Sequence, residues 1–472
     1  MVVPILYLIL DLFFGFTAQS PNPKATLTIL MGAWMVLWWV FEILPLGVTA
    51  LIPLFFLPFL GILPLKEVTP AYSNPVIFLF LGGFIIARAL EKTRLDERLA
   101  LTILLRSGHS DRGIILGFIV GTTFLSMWIS NTATTVMMVP IAMAVTDFLK
   151  NQLEEDQKPA ITPFSTCLFL AIAYSANIGG VMTPIGTPPN VVFMGYLNDL
   201  YQRDIGFDRW ILATAPLALA LLTSLYFLLR WVHPFSITLP HQFQSFIHKR
   251  HLDLGARGSS QNITIFVFAL AASLWVFKGL IHWAVGVTFI NDTSVALFCG
   301  VLLFLIPSHD NKNYPVLAKE DIAQLPWDIV LLFGGGMALA NALKEAGLIE
   351  IITQFYASQS FSKPYFLIGI MTFLALFLTE VMSNVALCVV ALPLIMKLGE
   401  SQGIDPVLMA MPAALCTSFA FSMPISTPPN AIVFGTNAVR VKDMLKVGLI
   451  LNFVAFGLTM SLGYLMIGWV LA

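Results

Sequence analysis

Residues 125–143 read LSMWISNTATTVMMVPIAM, and the reading of this stretch decides the fold. Its flanks are apolar enough for a membrane interior. Ser130, Asn131 and Thr132, with Thr134 and Thr135 close behind, interrupt them. Polar groups in hydrocarbon are costly unless protein or a cavity satisfies them. Either the triplet is glue between helices, or the chain breaks here and builds a site. The same question returns near Asn384, in LTEVMSNVALCVVALPLIM (378–396).

The 472 residues are 58% hydrophobic and 11% charged, against about 45–50% and about 25% in soluble domains. That excludes an ordinary soluble globule. A helix crosses a bilayer with about 20 apolar residues, and such runs fill the sequence. The formal net charge is -1 and no basic block occurs, so nothing points to nucleic acid. Cys167, Cys299, Cys388 and Cys416 sit in apolar segments without metal or redox spacing and read as small core residues. Residues 1–16, MVVPILYLILDLFFGF, lack a basic start and a cleavage site. They read as a first span rather than a signal peptide.

The expected architecture is an all-α polytopic membrane protein. Spans fall at about 1–17, 25–44, 46–63, 75–91, 162–197, 211–233, 263–285, 292–307, 327–345, 406–436 and 445–470. Regions 113–149 and 364–399 are too long for one simple helix and carry the polar triplets. Two spans each or a re-entrant hairpin would fit. An Asn-centred turn without charge is a poor membrane exit, which favours hairpins. The insert 234–262 contains His241, His248 and His251, and reads as a solvated linker rather than a metal site.

Repeats organise these pieces. FLGGFIIARALEKTRL (80–95) resembles FGGGMALANALKEAGL (333–348) at an offset of 253, which also carries Ser130-Asn131 onto Ser383-Asn384. TPIGTPPNVVFMG (183–195) matches MPISTPPNAIVFG (423–435) at an offset of 240. The plan is therefore a first span and N-terminal segment (1–24), a first repeat (25–233), a cytoplasmic linker (234–262) and a second repeat (263–472). In the first repeat, scaffold helices (25–91) precede a hairpin (113–149), a broken helix (162–197) and a helix (211–233). In the second, scaffold helices (263–345) precede a hairpin (364–399), a broken helix (406–436) and a helix (445–470).

Five spans separate equivalent points, so the second half is inverted. With a cytoplasmic N-terminus, sixteen Lys and Arg fall inside, among them Lys92, Arg112, Lys150 and Lys319. Seven fall outside: Lys24, Lys66, Arg203, Arg209, Lys344, Lys363 and Lys397. This agrees with the positive-inside bias and leaves the C-terminus outside. Inverted repeats are a transporter signature, with the site near the midplane.

The motifs suit opposite charges. Ser and Asn are N-caps, so each triplet can start a half-helix whose positive end points into the bilayer. Thr187 and Thr427 can cap in the same way, with Pro188 and Pro428 at the first helical position. Four such starts suit an anion. The broken turns also offer carbonyls and the Ser126, Ser130, Asn131, Thr379 and Asn384 side chains, neutral oxygens suited to a small cation. The GGF and FGGGM runs lack a following GK[ST] and read as close helix packing rather than phosphate loops. Glu42, Arg88, Asp147, Lys278, His282 and Glu380 lie in or near spans. Most sit at predicted ends, where snorkelling accounts for them. Glu380, four residues before Asn384, is either a functional group or hydrogen-bonded inside the hairpin.

SMWISNTATTVMMVP, LFLGGF, TPIGTPPN, TEVMSNV and TPPNAIVFG together resemble the divalent anion/sodium symporter family, the di- and tricarboxylate transporters. The resemblance implies a homodimer of eleven spans with two opposed hairpins and elevator-like movement of a transport domain against a scaffold. It implies sodium as the co-transported ion. One sodium site would use Ser126, Ser130, Asn131 and Gly186; the other would use Thr379, the Met382 carbonyl, Asn384 and Ser426. Substrate contacts would come from Asn131, Thr132, Thr187, Ser383, Asn384, Thr427 and Pro428, with Val385 facing the substrate where the family pattern places a Thr. The expected function is sodium-coupled uptake of C4-dicarboxylates such as succinate, malate or fumarate across a bacterial inner (plasma) membrane. A citrate or sulfate symporter, or a dicarboxylate exchanger, is the alternative within transport. An anion channel is the rival class. No metal or nucleophile–base cluster suggests an enzyme.

Overall fold

The computed structural model describes residues 23–107, 109–286, 291–311, 314–347 and 364–471. The expected span at 1–17 and Lys363 lie outside them. The principal helices are α1 (Pro23–Val40), α2 (Ile52–Phe59), α3 (Pro75–Lys92), α4 (Leu95–Ser107), α5 (Asp111–Ser126), α6 (Asn131–Gln152), α7 (Ile161–Gly180), α8 (Pro188–Tyr201), α9 (Phe207–Val232) and α10 (Phe243–Asp253). There follow α11 (Ser259–Val276), α12 (Asp292–Leu305), α13 (Trp327–Glu345), α14 (Pro364–Leu378), α15 (Asn384–Ser401), α16 (Pro406–Thr417), α17 (Pro428–Gly435), α18 (Val441–Leu458) and α19 (Tyr464–Val470). Eight described helices are long and apolar enough to cross a membrane, while the Leu46–Phe59 segment, α12, α14 and α16 are apolar but shorter. This is an integral membrane protein.

Local chemistry sets the helix starts. Asn74 caps α3 by accepting from the Val76 amide at 2.9 Å, Ser110 caps α5 through the Gly113 amide at 3.0 Å, and Asp405 caps α16 through the Val407 amide at 2.8 Å. Pro75 and Pro406 occupy the first helical positions, where a missing N–H costs nothing.

Small residues let the helices close up. A Cβ on Gly82 would sit 2.6 Å from Ala296, so α3 and α12 touch backbone to backbone across the repeats. Gly335 meets Ala50 and Gly336 meets Val389, each at 2.4 Å from the would-be Cβ. The glycine runs therefore serve packing. Two helices were not anticipated from sequence. α4 and α10 are amphipathic and pack against each other, and α10 buries Phe243 and Ile247, with the Phe243 ring centroid 6.0 Å from that of Phe148 of α6. Arg98 of α4 ties down the end of α10, donating to the Leu254 and Gly255 carbonyls at 3.2 and 2.7 Å. Among the described residues, no group of three or more His, Cys, Asp or Glu is placed to hold a metal ion.

Candidate functional site

The first triplet sits at a helix break. α5 ends at Ser126 and α6 begins at Asn131, with Ser130 as N-cap; its Oγ accepts from the Ala133 amide at 3.2 Å. The Ser126 hydroxyl lies 2.7 Å from Asn131 Oδ1 and 2.8 Å from the Ala176 carbonyl. Three neutral oxygens thus meet behind the tip. The second triplet repeats the arrangement. The Thr379 hydroxyl lies 2.7 Å from Asn384 Oδ1 and 2.7 Å from the Thr417 carbonyl. Ser383 is the N-cap of α15, but its side chain makes no capping bond.

The TPPN motifs close two further breaks, after α7 and after α16. Thr427 caps α17, accepting from the Asn430 amide at 3.4 Å, whereas Thr187 is the N-cap of α8 without a side-chain bond. The asparagine of each motif stitches its unwound stretch. Asn190 Nδ2 donates to the Gly180 and Thr183 carbonyls at 3.1 and 2.8 Å; Asn430 Nδ2 donates to those of Ala420 and Met423, both at 3.0 Å. Each pair follows the offset of 240. Non-helical backbone at membrane depth needs such partners.

All four breaks face one cavity of about 950 Å³. Its wall contains every residue assigned above to substrate contact: Asn131, Thr132, Thr187, Ser383, Asn384, Val385, Thr427 and Pro428. Ser130, Met382 and Ser426 line it as well. Ser126, Thr379 and Gly186 stand behind the wall. The first two bond to Asn131 and Asn384, and Gly186 packs so close to the Gly180 carbonyl that a Cβ would lie 2.5 Å from it. The N-caps Ser130, Thr187, Ser383 and Thr427 all reach the cavity, so four positive helix ends converge there.

Charged groups lie at its edge or behind it. Glu42, Arg88 and Glu91 line it, as does the neutral Gln324. Arg88 is tied to Asp321 at 3.2 Å, and Lys92 reaches the same carboxylate at 2.6 Å. Burial works against the Asp321 charge, but Lys92 and the Ala318 amide outweigh it and hold the carboxyl below its usual range. Glu380 is buried. Its Oε1 accepts from the Phe421 and Ser422 amides, both at 2.9 Å, and from Asn452 Nδ2 at 2.5 Å. Its Oε2 accepts from the Ser426 hydroxyl at 2.7 Å and the Ser422 amide at 3.1 Å. Of the two readings of Glu380, the hydrogen bond inside the hairpin is corrected: these partners lie in the break after α16 and on α18.

A sodium:sulfate symporter transmembrane region matches residues 5–471 of the chain. The chain belongs to the sodium:sulfate symporter family. It is 34% identical over 471 residues to the sodium-dependent dicarboxylate transporter SdcS of Staphylococcus saprophyticus, covering 98% of this chain and 90% of that protein. The SdcS of Staphylococcus aureus is 34% identical over 459 residues, covering 96% and 87%. Among solved structures, the Alcanivorax borkumensis YdaH transporter superposes with a TM-score of 0.57 at 12% identity, over 86% of this chain and 89% of that one. Neisseria gonorrhoeae MtrF gives 0.55 at 12%, over 85% and 83%. These two likenesses concern the fold alone.

In this symporter-family chain, the reading of motifs missed two asparagines. Asn177, buried on α7, lines the cavity and joins the halves. Its Oδ1 lies 3.5 Å from Asn131 Nδ2, and its Nδ2 is 3.2 Å from the Thr427 hydroxyl. Asn452 on α18 holds Glu380. Each is a lone Asn in an apolar run, and that was the available signal.

Proposed function

We propose that the chain is a secondary active transporter that couples sodium to the uptake of C4-dicarboxylates. The observation that carries this is the meeting, on one cavity, of two hydroxyl–amide–carbonyl clusters with four helix N-termini. Each cluster offers neutral oxygen ligands, which suit a hard cation. A bound sodium adds its charge to the helix ends and so helps hold a carboxylate nearby. The anion then binds well only when the cations are present, and this is the coupling. The relatives named sodium-dependent dicarboxylate transporters support this reading.

The chain would work as a homodimer of eleven spans and two opposed re-entrant hairpins, moving its transport domain as an elevator in a bacterial plasma membrane. The test is uptake of labelled succinate into proteoliposomes with and without an inward sodium gradient, with malate, fumarate, citrate and sulfate as competitors. Saturable uptake that requires sodium and is suppressed by C4-dicarboxylates supports the proposal. Preferential competition by citrate or sulfate selects the alternative substrates, and succinate efflux that requires an external dicarboxylate selects exchange. Non-saturating flux selects a channel.

A further inference from the structure

We infer that Glu380 makes the second sodium cluster the charge-assisted one of the pair. Glu380 acts as a positioning residue that orients Ser426 and lends its charge to a cation held by Thr379, Asn384 and Ser426. The inference rests on the reading of the chain as sodium-coupled. Among the described residues, every hydrogen-bond partner of the Glu380 carboxylate is a donor: two backbone amides, the Ser426 hydroxyl and the Asn452 amide. That set suits an ionised carboxylate, which only accepts. Among the described residues no Lys, Arg or His forms an ion pair with it. A buried charge is costly without an opposite one, and a cation in the adjoining cluster supplies it.

Ser426 transmits the effect. Its single proton goes to Glu380 Oε2 at 2.7 Å, with the Met423 carbonyl 2.8 Å away. The oxygen keeps lone pairs free on the cavity wall that it lines. A partner of this kind fixes a ligand's orientation and raises its basicity. The first cluster has no counterpart at the repeat positions. Met127 stands at the repeat position of Glu380 and Gly186 at that of Ser426. The two sodium ions therefore bind unequally, the second cluster filling first.

Sodium binding is read in detergent as the rise in unfolding temperature on titration, with choline chloride holding ionic strength constant. Succinate uptake provides a second readout. Glu380→Gln keeps the shape and removes the charge. It is expected to raise the sodium half-saturation by about 10–100-fold, the usual effect of removing such a partner, and Glu380→Asp by less. A folded Glu380→Gln protein that titrates like the wild type overturns the inference. If that variant does not fold, Glu380→Asp and Ser426→Ala decide. Raised half-saturation in both supports the inference, and wild-type values in either overturn it. A wild-type protein that sodium does not stabilise overturns the sodium-coupled reading instead.

Discussion

The breaks after α7 and α16 end in the same TPPN motif, but the support each takes from outside the motif is of opposite polarity. In the first, a neighbouring helix holds carbonyls. Val181 accepts from the Trp210 indole at 3.0 Å and Met182 from the Thr214 hydroxyl at 3.3 Å, both donors on α9. In the second, backbone N–H groups turn to the Glu380 carboxylate. The first break, residues 181–187, is buried throughout. The second begins at Ser418 and exposes Ile425 to 81% at the cavity. The tips differ in the same sense. Trp128 stacks on Phe207 and Trp275, with centroids 5.9 and 6.3 Å away. Its repeat partner, Val381, is 65% exposed. The Ser-Asn and TPPN groups that face the cavity are alike in the two halves, while neighbouring helices supply different supports behind them.

The largest expected effect breaks the likeness of the two clusters. Asn131→Ala and Asn384→Ala should each reduce sodium-driven succinate uptake to background in proteoliposomes, with the proteins intact by size exclusion. Full uptake by either variant means that its cluster does not serve coupling. Next comes a difference between the halves. A Cβ on Gly180 would lie 2.4 Å from Asn131 Oδ1, whereas the second half has Ala420 at that position. Gly180→Ala should therefore raise the sodium half-saturation about tenfold or more, as loss of a ligand's orientation does. Ala420→Gly should leave it near the wild-type value. An unchanged Gly180→Ala titration would show that Asn131 is not a ligand in this geometry.

The substrate end provides a smaller contrast. Thr132 and Val385 both line the cavity, one with a hydroxyl and one with a methyl in its place. A hydrogen bond to a charged group contributes about 1.5–3 kcal/mol. Val385→Thr should thus lower the Km for succinate about tenfold with little change in sodium dependence, and Thr132→Val should raise it. Unaltered Km values for succinate, malate and citrate in Val385→Thr would remove residue 385 from the substrate's surroundings. The smallest effect concerns the neutral support. Trp210→Phe leaves the Val181 carbonyl without its donor, a loss of about 1–3 kcal/mol. The melting temperature should fall while sodium half-saturation stays constant. A shifted sodium titration would show that this support, too, tunes its cluster.

The site was legible where polar residues interrupt apolar sequence. Ser130-Asn131-Thr132, Ser383-Asn384 and the two TPPN motifs stand out because hydrocarbon offers no water to satisfy them, and their repetition marks them as a set. Supports were less legible. Asn177 and Asn452 occur singly, and their partners Thr427 and Glu380 are far away in sequence. Glu380 stands out as a charge beside its tip, yet nothing along the chain says which groups it holds. α4 and α10 were obscured for another reason: their charges end the hydropathy signal, and the apolar face that makes them helices is narrow.

The sequence by itself determined that this chain lives in a membrane, that its motifs recur in the same order in two halves, and where its helices break. Each follows from local composition or from likeness between stretches, which need no knowledge of contacts. Only the tertiary structure decided that four breaks share one cavity, that Asn177 joins the halves, and that, among the described residues, a carboxylate bonds to one cluster and not to the other. These depend on which helices pack together, and packing brings together residues whose chemistry gives no sign of the pairing along the chain.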